Sequence, residues 1–238
     1  MTFNKKNINF SKIVILVLVL LVPGFLYIAV NKMGSNSYAK LPVFGEKILT
    51  GKMVRKMGRE MPDTLYHQVP VLEFIDSDSI PNSFLGKDSM VIVVHLFYPN
   101  DKGLSKTLLQ SLRTVAERFK SNHKVQFYSI CVDSAATVAQ LAKVAAQYTQ
   151  GYPSWHVVGL QPKVLEFART SLLVDAFQDD AQTNSFVISN NYILLDSQRR
   201  IRGFYDINLK TEIDRLEDEI KVQLVEEARN NPYKIEKR

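Results

Sequence analysis

The order of apolar and polar positions divides the chain into two parts. Ile13 to Val30 is an unbroken apolar run, which as a helix would reach about 27 Å, close to the hydrocarbon thickness of a bilayer. Pro23 and Gly24 fall inside it, a local irregularity that lipid-embedded helices tolerate. A cleavable signal would have a shorter apolar core followed by a small-x-small site. This run leaves through Asn31-Lys32-Met33 and reads as an uncleaved single-span anchor, with residues 1–12 as a cytoplasmic N-terminus. Lys5, Lys6 and Lys12 precede the span and Lys32, Lys40 and Lys47 follow it, so charge alone leaves the orientation open.

The second part alternates strand and helix periods. Val71–Ile75 predicts a short strand, followed by an Asp76-Ser77-Asp78-Ser79 turn. Met90–Phe97 is nearly all apolar and rich in β-branched residues, as in a strand covered on both faces. Leu104, Leu108, Leu112, Val115 and Phe119 then recur at helical spacing. Val125–Val132 predicts a second buried strand, and Val138, Leu141, Val144 and Ala145 the apolar face of a second helix. After Trp155, Lys163–Thr170 reads as helical. Ser185–Ser189, Tyr192–Asp196 and Ile201–Tyr205 read as three short strands, and Leu209 to Ala228 as a terminal helix with Ile213, Leu216, Ile220 and Leu224 inward. The alternation predicts an α/β layered fold built on βαβ units. Residues 31–68 lack this regularity and read as a linker, with the domain at 69–228 and a tail at 229–238.

Composition changes this picture little. The net charge of +6 is spread among acids, without the dense basic run interleaved with aromatics that nucleic acid requires. Cys131 is the single cysteine, which excludes an internal disulfide and a Cys-pair metal site. Its place in an apolar strand predicts a buried, inert thiol. Met53, Met57 and Met61 stand at i, i+4 and i+8, a spacing that would line thioethers on one helical face and suit copper(I). Gly51, Gly58 and Pro62 argue against that helix.

Several short segments, taken in order, resemble the Sco/SenC family. They are Phe84-Leu85-Gly86-Lys87 before the central strand, Tyr128-Ser129-Ile130-Cys131-Val132-Asp133 at the next strand's end, and Trp155 with Gly159. Tyr192-Ile193-Leu194-Leu195-Asp196 and Ile201-Arg202-Gly203-Phe204-Tyr205 complete the set. The resemblance covers most of residues 41–225. It implies a thioredoxin-like fold, a central mixed sheet flanked by helices after one N-terminal transmembrane helix. It also implies a periplasmic domain on the inner membrane of a bacterium, linked to copper handling for cytochrome c oxidase.

The family's chemistry rests on Cys-Pro-x-x-Cys-Pro at the strand-to-helix turn and on a later histidine. On this sequence the two cysteine positions fall at Asn100 and Leu104, and the histidine at Ile188, beside a retained Ser189. Leucine and isoleucine offer no lone pair, and asparagine is a poor copper ligand. The aspartate at the strand end is kept as Asp133, but Ser134-Ala135-Ala136-Thr137 lacks the second acid common after it. No metal site, no cofactor and no catalytic residue are therefore expected, and the chain is not expected to be an enzyme.

Other chemistries find no better footing. His67, His95, His123 and His156 form no pair at metal-ligand spacing, although His95 stands just before the turn. Ser105 and Ser189 have no adjacent base. Asp179-Asp180 and the acids Glu212, Asp214, Glu217, Asp218 and Glu219 read as solvated surface. No Gly-x-Ser-x-Gly elbow or Gly-rich phosphate loop is present. Two readings follow. One is a membrane-anchored binding or chaperone module of oxidase assembly that has lost copper and thiol chemistry, with partners among respiratory-oxidase or copper-protein assembly factors or a ligand-bearing paralogue. The other is residual copper binding through His95 and the methionines.

Overall fold

The computed structural model describes residues 10–33, 40–56, 59–76, 81–84, 90–101, 103–159, 163–179 and 185–230. The chain divides into two units, residues 1–39 and 40–238. The first contains α1 (Phe10–Met33), 24 residues with Pro23 inside the helix. Side chains within it are described at 12 and 14–28. Among the described residues, no helix is long and apolar enough to cross a membrane.

The second unit opens with β1 (Lys47–Lys56), β2 (Arg59–Tyr66), β3 (Leu72–Asp76) and β4 (Pro81–Phe84). Then come β5 (Val91–Phe97), α2 (Leu104–Phe119), β6 (Val125–Cys131), α3 (Val138–Tyr148), β7 (Trp155–Gly159) and α4 (Val164–Thr170). It closes with β8 (Ala176–Gln178), β9 (Phe186–Ile188), β10 (Asn191–Leu195), β11 (Ile201–Asp206) and α5 (Lys210–Asn230). Seven strands form one mixed sheet in the order β11-β10-β5-β6-β7-β3-β4. β5, β6 and β7 run parallel, joined through α2 and α3, and the outer strands pair antiparallel.

All seven residues of β5 are buried, so this strand is covered on both faces. The stripe Leu108, Leu112, Val115 and Phe119 buries α2 against the sheet. Each such aliphatic or aromatic side chain contributes roughly 1.5–3 kcal/mol by leaving water. Thr137 caps α3 through a capping box with Gln140, which satisfies two otherwise unpartnered ends of the first turn. Close packing explains two glycines. A Cβ on Gly159 would lie 2.4 Å from Leu141 Cδ1, and one on Gly203 would lie 2.3 Å from the Tyr205 hydroxyl.

Several expectations need correction. Residues 31–68 are not a plain linker, because 47–66 hold the antiparallel hairpin β1–β2. The backbone N–H of Phe44 donates to Ile201, the Arg202 guanidinium donates to the Leu41 carbonyl, and Val69 is fully buried. The second unit therefore begins well before Val69. The methionine stripe lies in this hairpin, not on a helix: Met53 pairs with Pro62 and Val54 with Met61, while Met57 lies outside the described residues. β4, β7 and β8 appear where no strand was expected, because three to five residues are too few to show a clear period. The Asp76-Ser77-Asp78-Ser79 turn and Leu85-Gly86-Lys87 fall largely outside the described residues, as do 1–9 and 231–238.

Candidate functional site

The turn between β5 and α2 is where the ligand positions were expected, at the carboxyl end of a central strand, where open α/β sheets place their sites. Its described residues form a hydrogen-bonded cap. Asp101 Oδ1 accepts from Gly103 N at 2.7 Å and Oδ2 from Ser105 N at 2.6 Å. Ser105, itself buried, accepts from Tyr98 N at 3.1 Å, which ties the end of the strand to the first helical turn. The carboxylate also sits where the helix dipole favours negative charge. Asp101 thus holds the first turn of α2 from two residues ahead of its N-cap position, Gly103.

Asn100 is exposed on this turn, and Leu104 is half-buried and packs against the core. Ile188 is buried in the same core. It sits on β9, paired with Ala176 of β8, and this hairpin approaches the turn through the rings of Phe186 and Tyr98, 5.3 Å apart. The turn and the hairpin thus meet, with an exposed amide and two aliphatic side chains at the three positions. Copper does not fit this donor set, since Leu104 and Ile188 have no donor atom. Among the described residues, no group of three or more His, Cys, Asp or Glu could hold a metal ion.

His95 is fully buried and both ring nitrogens are engaged. A carbonyl can only accept, so the Nδ1–H donates to Leu96 O at 3.1 Å. Nε2 then accepts from the Ser129 hydroxyl at 2.7 Å. Ser129 in turn accepts from the Trp155 indole N–H at 2.9 Å. The relay runs Trp155 to Ser129 to His95 to Leu96 and leaves no lone pair for a metal. Burial pushes the imidazole pKa down to about 4, partly opposed by the bond to Leu96, so the ring is neutral at pH 7. A serine hydrogen-bonded to a histidine resembles a nucleophile and its base. Here Ser129 and His95 are both sealed from solvent, and no substrate can reach them.

The other histidines are dispersed. His67 Nε2 donates to the Ser171 carbonyl at 2.8 Å. His156 lies in β7, stacked on Tyr128 with ring centroids 5.0 Å apart. His123 is exposed in the turn before β6. Cys131 is buried beside Phe97 in the register of β5 and β6, and its thiol donates to the Asp133 carbonyl at 3.6 Å. Burial pushes that thiol up to about 12, so the reactive thiolate is absent at neutral pH. Asp133 accepts from Ala135 N at 2.9 Å and closes its own loop.

Sequence reasoning missed a buried ionic network. Asp196 has no exposure, and Arg202 is 2% exposed. Asp196 Oδ1 accepts from Gln198 N and Arg200 N, while Oδ2 accepts from Arg200 Nε at 2.7 Å and Arg202 Nη1 at 3.1 Å. Arg202 Nη2 continues to Glu226 and to the Leu41 carbonyl, both at 2.7 Å. The signal in the sequence was Arg202 itself, a cation inside the strand expected at Ile201–Tyr205. The acids of α5 also need correction, since several are not solvated. Glu217 is buried against Arg118, Glu219 accepts from the Tyr205 hydroxyl, and Glu227 accepts from Ser197 and Gln223. Burial raises the pKa of Glu217 and of Tyr205. A surface depression of about 470 Å³ lies on α2, lined in part by Arg113, Glu117 and Tyr152. Within it Tyr152 donates to Glu117 at 2.6 Å and accepts from Arg113 Nε at 3.4 Å.

No family model matches the chain, and no curated protein matches it in sequence. Solved structures do match. A SCO1/SenC family lipoprotein from Bacillus anthracis aligns with TM-score 0.60 and 14% identity over 66% of this chain and 95% of that one. BsSco, a member of the Sco family of cytochrome c oxidase assembly proteins, aligns with TM-score 0.58 and 19% identity over 67% and 94%. Copper-bound ScoI of Bradyrhizobium japonicum aligns with TM-score 0.54 and 14% identity over 66% and 99%. The resemblance carried by the motifs thus holds at the level of the fold, which is that of Sco/SenC proteins.

Proposed function

We propose that this chain is a Sco/SenC-type protein that serves oxidase or copper-protein assembly as a binding or chaperone module, without copper or thiol chemistry of its own. The observation that carries the reading is the contrast between frame and site. Residues of the resembling segments have structural work: Asp196 and Arg202 pair in the core, Gly159 and Gly203 relieve close contacts, and Ser129 and Trp155 hold His95. The three ligand positions hold Asn100, Leu104 and Ile188, and the two aliphatic ones pack with the core. Similarity to proteins named for cytochrome c oxidase assembly supports the assembly role. Copper-bound relatives make a ligand-bearing paralogue a natural partner.

The reading includes a single-pass anchor in the inner membrane, with the second unit in the periplasm. Its support is the apolar run Ile13–Val30 within the 24 residues of α1, and the exposure of the apolar side chains from Val14 to Ile28. Reporter enzymes that work only in the periplasm or only in the cytoplasm, each fused after Arg238, test the orientation. Activity of the cytoplasmic reporter alone overturns it.

The chemical part is tested by titrating the full-length protein against a copper(I) chelator. Binding no tighter than that of a generic protein surface is expected. Stoichiometric binding at nanomolar Kd, about −12 kcal/mol, overturns the reading. The partner part is tested by measuring association with a cysteine-bearing Sco protein in its copper-loaded and empty forms; no association with either overturns the paralogue pairing.

A further inference from the structure

Among the described residues, the hairpin β1–β2 pairs only with itself: its two strands form a separate sheet. It is apolar on both faces. Ile48 faces Leu65 across the ladder, and both are more than half exposed. Leu49 and Met53, whose partners Thr64 and Pro62 share the other face, are more exposed still. An isolated two-stranded hairpin is at best marginal in water, and exposed apolar patches of this kind mark interaction surfaces. The same strands carry Lys47, Lys52 and Arg55, all exposed; of their acids, Glu60 stands opposite Arg55 in the ladder and Asp63 accepts from the Thr50 hydroxyl at 3.0 Å.

We infer that this hairpin rests on an anionic bilayer surface, with its apolar side chains in the headgroup layer and its cations on lipid phosphates. The inference rests on the anchor reading. Lys47 follows Met33 by fourteen residues, a tether that spans at most about 50 Å when fully extended. A hairpin so close in sequence to a membrane helix meets lipid at high effective concentration. Exposed apolar residues interspersed with cations match an anionic interface. A protein face would satisfy the apolar side chains, but the cations select an anionic one.

The test uses the full-length chain reconstituted in vesicles of phosphatidylcholine with phosphatidylglycerol, or of phosphatidylcholine alone. Leu65→Trp and Leu49→Trp each place a reporter on one face, and the unmodified protein gives the baseline from buried Trp155. Brominated lipid should quench at least one reporter about twofold more strongly than the baseline in anionic vesicles, and 0.5 M salt or the Lys47→Glu/Lys52→Glu/Arg55→Glu variant should abolish the excess. Quenching at baseline while the protein stays integrated after alkaline extraction overturns the hairpin inference and leaves the anchor intact. Release of the protein by alkaline extraction overturns the anchor and the inference with it. Equal quenching in both vesicle types overturns the choice of anionic lipid. Cross-linking of two chains through the hairpin, without quenching, overturns it in favour of a second copy.

Discussion

Arg202 of β11 reaches Asp196 at the end of β10 with Nη1 to Oδ2 at 3.1 Å, both side chains closed off from solvent. The same guanidinium holds Glu226 of α5 and the Leu41 carbonyl. One cation therefore fastens a strand turn, the terminal helix and the segment that enters the domain. Two further backbone N–H bonds and Arg200 complete the carboxylate's shell, which is the condition under which a buried charge is tolerated.

Arg202→Met should accordingly destabilise the domain by about 3–5 kcal/mol, because it leaves buried Asp196 and half-buried Glu226 with less compensation. Asp196→Asn should cost a similar amount. The double variant should lose less than the sum, since the Asp196–Arg202 contact is then counted once and only Glu226 and Arg200 are left short of a partner. Urea unfolding of the four proteins measures this; additive losses would mean that the pair is not coupled.

His95 makes stability depend on pH. Its pKa is about 4 folded and near 6.5 unfolded, so between these values the unfolded chain binds more protons. Stability from the neutral buried ring is complete above pH 6.5 and is lost progressively as pH falls toward 4, by about 3 kcal/mol in all. Glu217, whose pKa burial raises, acts with the opposite sign: its stabilising contribution falls as pH rises through its folded value. Comparing unfolding free energies of wild type and His95→Phe from pH 4 to 7 isolates the histidine. The variant should be less stable at pH 7, where Ser129 has lost its acceptor, yet show a flatter curve.

Asp101 should contribute about 1 kcal/mol as the cap of α2. Asp101→Ala is expected to lower stability by that amount, and Asp101→Asn by less because one acceptor oxygen remains. Amide hydrogen exchange at Gly103 and Ser105 checks the mechanism, with faster exchange confined to the first helical turn. Unchanged exchange there would show that the carboxylate does not hold the turn.

Asn100→Cys, Leu104→Cys and Ile188→His, made together, should create a copper(I) site that the unmodified chain lacks. The turn and the β8–β9 hairpin already meet through Tyr98 and Phe186. A competition titration should show one equivalent bound at least tenfold tighter than wild type, about 1.4 kcal/mol. Binding no tighter than wild type would show that the three positions do not converge.

The strand-helix order from β5 to α3, the strands β10 and β11 and the terminal helix were legible in the chain. Long elements buried on one face or on both impose periods of 3.6 or 2, or an apolar run, and those patterns survive in the sequence of amino acids. That Leu104 and Ile188 have no lone pair to offer a metal was also legible, since a residue's capacity to donate one needs no coordinates. Tertiary structure alone decided the rest. Whether His95 is a ligand or a packed ring depends on Ser129, 34 residues away, and whether an acid of α5 is solvated depends on which strand the helix covers. The hairpin at 47–66 was hidden because exposure on both faces removes the alternation by which a strand is recognised. Local patterns record which side of an element meets a core; partners distant in sequence leave no such record, because their bonds form only after the chain has packed.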